Sequence, residues 1–371
     1  MKKILFISNI TNRITNFSLP SILASQSIDY EFHLAANLSN FKDNPSNYGI
    51  VTHHIDLVRN PFSIKNIKAY RQMIDLIKKE EFDAIHCNTP IGGVLGRLCG
   101  RKLKVPKVIY TAHGFHFYEG APLVKSSLFK SVEFLLSKYT DAIITMNEED
   151  RGAALNFQKN ENLNVYYVPG VGVDTSPHIL EENEKRTLRE SLGFKSDDIV
   201  LISMGDLITR KNYEASIKAL SEVSAKNVHL LVCGKGPKLE SLNKLVNELD
   251  LQNRVHFLGF RKDVRDLLSI ADIFLFTTYQ EGLPRSMMEA MAAGLPCIVS
   301  DVRGNRDLIE HGKGGYLYHP TDFRGFSKGI DILSKDENLR RDMKEQNLKI
   351  IKEYDVENVK RVMKDIYIKE L

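Results

Sequence analysis

The sequence of 371 residues has no apolar run that reaches the roughly 18 residues a transmembrane helix needs. Its amino terminus also lacks the pattern of a signal peptide, because the short apolar run Ile4–Ile7 passes at once into polar residues. We therefore expect a cytoplasmic protein.

Cysteine is scarce, and no metal-binding pattern is present. Cys87, Cys99, Cys233 and Cys297 lie within apolar runs, without a CxxC or a zinc spacing, so reduced core thiols are expected. There is no Asp-x-Asp pair, and no cluster of histidine and carboxylate residues has ligand spacing. We expect neither an obligatory metal nor a cofactor.

Net charge is uneven along the chain. Residues 1–170 carry 20 Lys and Arg against 15 Asp and Glu, whereas the remainder carries 31 against 32. The excess is concentrated in the first half at Arg97, Arg101, Lys102, Lys104 and Lys107. This cluster favours contact with anionic lipid headgroups or a lipid diphosphate, although an ordinary solvated surface is the alternative. No nucleic-acid partner is expected.

Length and periodicity predict two α/β domains. The chain is too long for one ordinary core. Strand-like and helix-like segments alternate twice along it, the pattern of two doubly wound parallel sheets. Residues 169–174, Pro-Gly-Val-Gly-Val-Asp, break this rhythm and are the predicted linker. We expect one domain at residues 1–170 and a second at residues 171–354.

The most informative segment joins an apolar strand to a helix. The strand Ala271–Thr278 is of the kind buried on both faces of a parallel sheet. Glu281 follows in the loop, and Glu289 is predicted in the first turn of a helix over Ser286–Ala293. Ligands of open α/β sheets bind at this edge, where a helix start suits a diphosphate and carboxylates accept from hydroxyls. A sugar nucleotide fits, although Glu289 and Ser286 also match a capping box.

Residues 281–298, EGLPRSMMEAMAAGLPCI, resemble the glutamate-seven-glutamate signature of the GT4 glycosyltransferases. Residues 85–93 and 111–117 are similar to the amino-terminal domain of that family, and residues 205–212 to the start of its carboxyl-terminal domain. The resemblance implies the GT-B fold, an α/β architecture with two doubly wound Rossmann-like parallel-sheet domains facing across a cleft. It also implies that a last helix, in residues 355–371, crosses back to the first domain.

The resemblance assigns the donor side of the site. Glu289 is expected to bind ribose hydroxyls, and Glu281 the hydroxyls of the transferred sugar. Lys211 would neutralise the donor diphosphate. The family usually has an arginine directly after the glycine of this segment, and that position is Asp206 here. Either Arg210 replaces the missing arginine, or Lys211 and the helix amides hold the diphosphate alone. The expected donor-binding residues are Arg210, Lys211, Gly234, Gly236, Phe260, Arg261, Glu281, Gly282, Leu283, Arg285, Ser286 and Glu289.

His113 is the expected catalytic residue of the first domain, beside Glu281 and Lys211 of the second. It precedes Gly114, where the chain can bend sharply. The resemblance implies that His113 contacts the transferred sugar near its anomeric carbon, whereas a packed histidine without a ligand is the alternative. The expected acceptor-side residues are Asn9, Thr11, Arg13, Asn88, Thr89, Gly114, His116 and Tyr118.

The resemblance, strongest to enzymes of bacterial capsule, exopolysaccharide and related surface-glycan assembly, predicts a retaining hexosyl- or N-acetylhexosaminyltransferase. The donor is expected to be a UDP-sugar, and the acceptor a hydroxyl of a polyprenyl-diphosphate-linked saccharide at the inner face of the cell membrane. One alternative is a sugar-nucleotide epimerase of the same fold. Another is a catalytically inactive partner subunit of a glycan assembly complex, which Asp206 and the lack of a glycine pair after the first strand would suit.

Overall fold

The computed structural model describes residues 1–158 and 163–371. They divide into two compact units, hereafter unit 1 (Met1–Gly172 with Val356–Leu371) and unit 2 (Val173–Asp355). Across these described ranges, no helix is both long and apolar enough to span a bilayer.

Unit 1 is built on a parallel sheet. The strands described for it are β1 Lys2–Ile10, β2 Tyr30–Asn37, β3 Ile50–His54, β4 Ala84–Cys87, β5 Lys107–Ala112, β6 Ala142–Thr145 and β7 Asn164–Tyr167. The helices between them are α1 Leu19–Gln26, α2 Lys65–Glu80, α3 Pro90–Leu103, α4 Leu123–Ser137 and α5 Glu148–Leu155, with a 3₁₀ turn at Pro45–Tyr48. The strand order is β3-β2-β1-β4-β5-β6-β7, so the winding reverses between β1 and β4.

Unit 2 repeats this architecture. Its strands are β8 Ile199–Met204, β9 Val228–Cys233, β10 Val255–Gly259, β11 Ile273–Phe276, β12 Cys297–Ser300 and β13 Gly315–Tyr318. Its helices are α6 Glu182–Ser191, α7 Tyr213–Glu222, α8 Leu239–Glu248, α9 Val264–Ile270, α10 Arg285–Ala292, α11 Asn305–Leu308, α12 Phe323–Lys335 and α13 Glu337–Ile350, with 3₁₀ turns at Thr209–Lys211 and Ile351–Tyr354. The strand order is β10-β9-β8-β11-β12-β13, with the reversal between β8 and β11. The predicted pair of doubly wound parallel sheets is confirmed.

Buried apolar runs explain why these segments are strands. Residues Ile4–Ile7 in β1 and Ile273–Phe276 in β11 are at most 1 % exposed. Such runs need helices on both faces of the sheet, which the intervening amphipathic helices supply. Cys87, Cys99, Cys233 and Cys297 are free and buried, as the sequence predicts.

The last helix, α14 (Val356–Glu370), packs on the sheet of unit 1. Its apolar side, including Met363 and Ile366, joins the core that contains Phe6 of β1. Polar contacts fix its far end, where the carboxylate of Glu370 accepts from Tyr166 Oη at 2.7 Å.

A buried histidine links α14 to the sheet and should make unit 1 sensitive to acid. One ring nitrogen of His86 contacts Tyr367 Oη and the other contacts Thr111 Oγ1, both at 2.7 Å. Burial, with a smaller contribution from His113, lowers the pKa of His86 from 6.5 to about 3. As pH falls, His86 is therefore protonated in the unfolded chain before it is protonated in the folded one. The contribution of neutral His86 to folding stability is complete above pH 6.5 and is lost as pH falls toward 3.

We expect acidification to pH 5 to remove about 2 kcal/mol of stability through His86, since each pKa unit is worth about 1.4 kcal/mol. His86→Gln should be less stable at neutral pH yet lose less stability on acidification. Tyr367→Phe, the matched control, keeps the titrating ring and should keep the wild-type slope. Urea unfolding at pH 7.5 and pH 5 measures both, and equal slopes for wild type and His86→Gln would contradict the assignment.

Arg97 is buried, contrary to its predicted place in an exposed basic cluster. Its side chain is fully enclosed between α3 and α4, where Nη1 meets Glu133 Oε2 at 2.8 Å and Nε donates to the Gly93 carbonyl at 2.9 Å. The guanidinium carbon also lies 4.0 Å from the centre of the Tyr110 ring. A buried cation needs a carboxylate and hydrogen-bond acceptors, and α3 and α4 provide them. Lys107 of the same cluster pairs with Glu370.

Candidate active site

The central feature of unit 2 is an ion-paired cluster at the reversal of its sheet. The loops that follow β8 and β11 bring Lys211 Nζ to 2.9 Å and Arg210 Nη1 to 2.7 Å from Glu281 Oε1. Thr278 Oγ1 donates to the same oxygen at 2.8 Å. The strands β8 and β11 are neighbours in the sheet, and the strand order reverses between them. Open α/β sheets bind ligands at such a reversal. The structure therefore joins three predicted donor residues and adds Thr278.

Lys211 and Glu281 are both largely removed from water, with exposed side-chain fractions of 11 % and 8 %. The ammonium group of Lys211 also lies 4.5 Å from the centre of the Phe276 ring. Burial lowers the pKa of Lys211, and the carboxylate of Glu281 opposes that shift. By contrast Arg210 is 41 % exposed, so the two cations hold the same oxygen from a buried and an open side.

Lys211 ends the 3₁₀ turn Thr209–Lys211. Asn212 intervenes in a left-handed conformation, with φ of 52°, and α7 begins after it. The side-chain amide of Asn212 donates to the carbonyls of Thr277 and Pro320 at 2.9 and 2.8 Å. These bonds anchor the turn to the loops after β11 and β13 and thereby position the cation.

Gly234 and Gly236 are required by the protein's own backbone. A Cβ atom at Gly234 would lie 1.9 Å from the Gly205 carbonyl oxygen, and one at Gly236 would lie 2.4 Å from that of Leu207. These two glycines, predicted as donor-binding residues, thus allow the loop after β9 to approach the loop after β8. The glycines shape the site by letting these loops touch.

The helix α10 begins one residue earlier than predicted, and this changes the setting of Glu289. Pro284 is the N-cap and makes no side-chain capping bond, so the proposed capping box with Ser286 is wrong. Glu289 lies in the second turn, where its Oε1 accepts from Arg285 Nε at 2.9 Å. The first amides of α10 have no partner within the helix, as in any first turn, and they carry its positive dipole end.

Glu289 and Arg285 line a cavity of about 750 Å³ in unit 2. Lys262, in the loop after β10, and Lys344 of α13 also line it. Residues 173–178, which lead into unit 2, form another wall. Asp174, Asp263 and Asp266 line it as well, so the cavity combines cations and carboxylates around the predicted ribose-binding Glu289.

Two neighbours that the sequence did not single out hold the loop of Gly282 and Leu283. The buried Arg303 donates from Nε to the Glu281 carbonyl at 3.1 Å. Gly304 packs so closely that a Cβ there would lie 2.3 Å from the Gly282 oxygen. Both residues follow β12, the next strand in the sheet, and that position was the signal that could have found them.

Phe260 and Arg261, two of the expected donor-binding residues, lie directly after β10. The Phe260 ring is 67 % exposed, which leaves its face open for stacking. Arg261 is held by Asp263, with Nε 2.8 Å from Oδ1. Neither residue lines the cavity that contains Glu289.

Unit 1 carries a second polar cluster at its own sheet reversal. The Oδ1 atom of Asn9, near the carboxyl end of β1, accepts from Thr89 Oγ1 at 3.0 Å and from the Gly92 amide at 3.1 Å. Asn9 therefore joins the loop after β4 to the first turn of α3. Thr11 donates its amide to Asn37 at 3.2 Å, and the side chain of Arg13 is exposed.

His113 follows β5 and is oriented by Asn88, which follows the adjacent strand β4. The amide nitrogen of Asn88 donates to the Phe17 carbonyl at 3.3 Å, which turns its oxygen toward His113 Nε2 at 2.9 Å. That oxygen only accepts, so Nε2 carries the proton and Nδ1 keeps a lone pair. Burial lowers the pKa of His113 to about 4, so the ring is neutral at physiological pH.

The other predicted residues of this region follow His113 in the chain. Gly114 has φ of 133°, which suits the bend predicted there. His116 is exposed, with its ring 5.1 Å from that of Phe129 in α4, and Tyr118 is half-buried. The structure thus groups His113 with Asn88 in unit 1, and Lys211 with Glu281 in unit 2. Over the described ranges, no three His, Cys, Asp or Glu side chains are placed to hold a metal ion.

A chain with two Rossmann-like parallel-sheet units has the architecture of the GT-B glycosyltransferases. Each unit carries a polar cluster where the strand order of its sheet reverses. Family models for glycosyl transferases group 1 and for glycosyl transferase 4-like proteins match residues 184–350 and residues 3–147. The chain belongs to this GT4 family of group 1 glycosyltransferases.

Three similar proteins give this membership its context. EpsD of Bacillus subtilis (strain 168), provisionally named a glycosyltransferase, is 34 % identical over 99 % of this chain and 96 % of its own. An Escherichia coli UDP-Gal:α-D-GlcNAc-diphosphoundecaprenol α-1,3-galactosyltransferase is 28 % identical, over 84 % of this chain and 82 % of its own. The crystal structure of Anabaena HepE in complex with UDP has a TM-score of 0.82 and 20 % identity, and covers both chains completely.

Proposed function

We propose that this chain is a retaining glycosyltransferase that moves a hexosyl or N-acetylhexosaminyl group from a UDP-sugar to a hydroxyl of a polyprenyl-diphosphate-linked saccharide. The Lys211–Glu281 pair at the reversal of the second sheet carries the proposal. It sets a cation and a hydrogen-bond acceptor side by side, which suits a ligand with both phosphates and sugar hydroxyls. The similarity to a galactosyltransferase named for a diphosphoundecaprenol acceptor supports the acceptor class.

In the proposed reaction the bond between the anomeric carbon and the diphosphate oxygen breaks, and its electron pair leaves with the diphosphate. The acceptor hydroxyl oxygen bonds to the anomeric carbon, and its proton passes to the departing diphosphate oxygen. Lys211, Arg210 and the first amides of α10 would stabilise the negative charge on the departing diphosphate. This stabilisation needs no metal. Glu289 would accept from the ribose hydroxyls, and the lone pair on Nδ1 of His113 would accept from a hydroxyl of the transferred sugar.

Retention is proposed to occur by departure and attack on the same face of the sugar. A double displacement requires a carboxylate nucleophile. Glu281 Oε1 already accepts from two cations and Thr278, and such strong hydrogen bonding lowers its nucleophilicity. Glu281 therefore suits the recognition of hydroxyls better than covalent attack.

The test is a panel of nucleotide sugars incubated with the purified protein and a polyprenyl-linked acceptor extract, with release of nucleoside diphosphate as the readout. We expect release with one UDP-sugar, stimulated by the extract. Glu281→Ala should lower the rate at least about 100-fold, because it removes a group held at the reacting sugar and frees Lys211 from its partner.

The matched control is Glu310→Ala, which removes a glutamate of a largely exposed pair with Lys313. It should leave the rate unchanged. Silence across the panel, together with no rise in melting temperature with UDP, would overturn the proposal and favour an inactive partner subunit. Release of an epimerised nucleotide sugar without acceptor would favour the epimerase.

A further inference from the structure

The helix α4 of unit 1 leaves an unusual amount of apolar surface in water. Leu123 and Val124 are 84 % and 85 % exposed, and Leu128 and Leu135 are more than half exposed. Of the fifteen residues in α4, only Leu136 and Ser137 are buried. Val124, Leu128 and Leu135 recur at helical intervals and so lie along one side of the helix. Large exposed apolar side chains that form a stripe along one side of a helix are typical of an interaction surface.

The charges on α4 indicate what the stripe contacts. Lys125 and Lys130 are exposed on the helix, and Lys138 is exposed directly after it. The sequence of α4 contains one acidic residue, Glu133, and its carboxylate is turned inward to the buried Arg97. The internal ion pair thus removes the negative charge of the helix from its surface, and the outward charge is positive.

A second apolar segment lies at the same edge of the sheet. Phe62 and Ile64, which precede α2, are 87 % and 81 % exposed. Side chains of α2, α3 and α4 pack against one core, so these helices cover one face of the sheet. Both α2 and α4 start at the carboxyl edge of the parallel strands, since each follows a strand directly in the chain.

We propose that the apolar stripe of α4, with Val124, Leu128 and Leu135, inserts into an anionic lipid bilayer, while the flanking lysines contact lipid phosphates. Apolar side chains beside lysines are the features of a helix that lies in the membrane interface. The exposed residues before α2 contact the same surface. The proposed membrane site is therefore α4, whereas Arg97 of the predicted basic cluster is buried and does not reach the surface. Its use in catalysis rests on the proposed lipid-linked acceptor.

Flotation with vesicles tests the surface without donor or acceptor, so the result does not depend on the proposed reaction. Wild-type protein should bind vesicles of phosphatidylcholine with phosphatidylglycerol, and bind phosphatidylcholine alone at least about tenfold more weakly. The double variant Leu128→Ser/Leu135→Ser should weaken binding to the anionic vesicles about tenfold or more, through lost apolar burial. Lys125→Glu/Lys130→Glu should do the same, and added salt should weaken wild-type binding.

The matched control is Ile179→Ser, which removes a side chain that is 79 % exposed in unit 2. It should bind as wild type does. Unchanged melting temperatures would show that the α4 variants remain folded. Equal vesicle binding by wild type and both α4 variants, or no binding by any protein, would overturn the proposal. A wild-type dimer that the serine variants convert to monomer, without vesicle binding, would assign the stripe to a second copy of the chain instead.

Discussion

Replacing Lys211 by methionine should reduce the rate of sugar transfer by about 100- to 1,000-fold, the range seen when one preorganised donor to a developing anion is removed. Methionine keeps an unbranched apolar stem beside Phe276 and removes the ammonium group. We expect the Michaelis constant for the donor to change less than the turnover number, because the charge on the diphosphate grows as the bond to the sugar breaks. Steady-state kinetics across donor concentrations separates the two.

The same substitution should have a smaller effect on stability. Lys211→Met leaves the carboxylate of Glu281 with Arg210 and Thr278, so we expect a loss of about 1–3 kcal/mol, typical of a buried group that loses one partner. Lys313→Ala is the matched control, since that lysine forms a largely exposed pair. A Lys211→Met enzyme that keeps most of its turnover while folded would show that the cation is structural.

Arg210→Ala distinguishes the two ways in which the sequence could compensate for Asp206. Arg210 is 41 % exposed, so its charge is better screened than that of Lys211. If Arg210 replaces the missing family arginine, its loss should lower turnover about tenfold or more. If Lys211 and the helix amides hold the diphosphate alone, turnover should fall less than about threefold. The same kinetic assay decides between these outcomes.

The fold could be predicted from the sequence because its signals are local. Near-continuous apolar runs such as Ile273–Phe276 have few other places to lie than the interior of a parallel sheet. The alternation with helices then gives two doubly wound sheets, and polar residues after the strands fall at their carboxyl edges. This placement, together with the resemblance to the GT4 family, predicts Glu281, Lys211, Asn88 and His113 as site residues.

The contacts that the sequence missed depend on packing between segments far apart in the chain. The sequence places Arg97 among other basic residues, which predicts an exposed side chain. It is buried because Glu133 and the Tyr110 ring, from other segments, pack against its guanidinium group. Arg303 reaches the Glu281 carbonyl from the loop after another strand. Glu289 lies in the second helical turn instead of the predicted first turn, because α10 starts at Arg285 instead of Ser286. Spacing alone carries no information about such partners.

Replacing Asn88 by aspartate should give the enzyme a pH dependence that the wild type lacks. In the wild type His113 has a pKa of about 4, so its ring stays neutral and its Nδ1 lone pair stays available down to about pH 5. A carboxylate beside Nε2 stabilises the imidazolium and raises the pKa of His113. Protonation fills Nδ1, which then no longer accepts from a sugar hydroxyl. We therefore expect kcat/KM of Asn88→Asp to fall as pH drops below about 6.5, while the wild-type value stays level.

Three further variants separate this positioning role from simple packing. Asn88→Ala removes the hydrogen bond without adding charge, so it should lower kcat/KM at every pH and leave the shape of the profile unchanged. His113→Asn places its amide oxygen near the position of Nδ1, whereas His113→Gln reaches toward Nε2 and Asn88. If the Nδ1 lone pair serves the sugar, His113→Asn should retain more turnover than His113→Gln, although both keep a polar group beside Phe17. Equal activities for these two variants, with an unshifted profile for Asn88→Asp, would mean that His113 supports the loop after β5 without contacting the substrate.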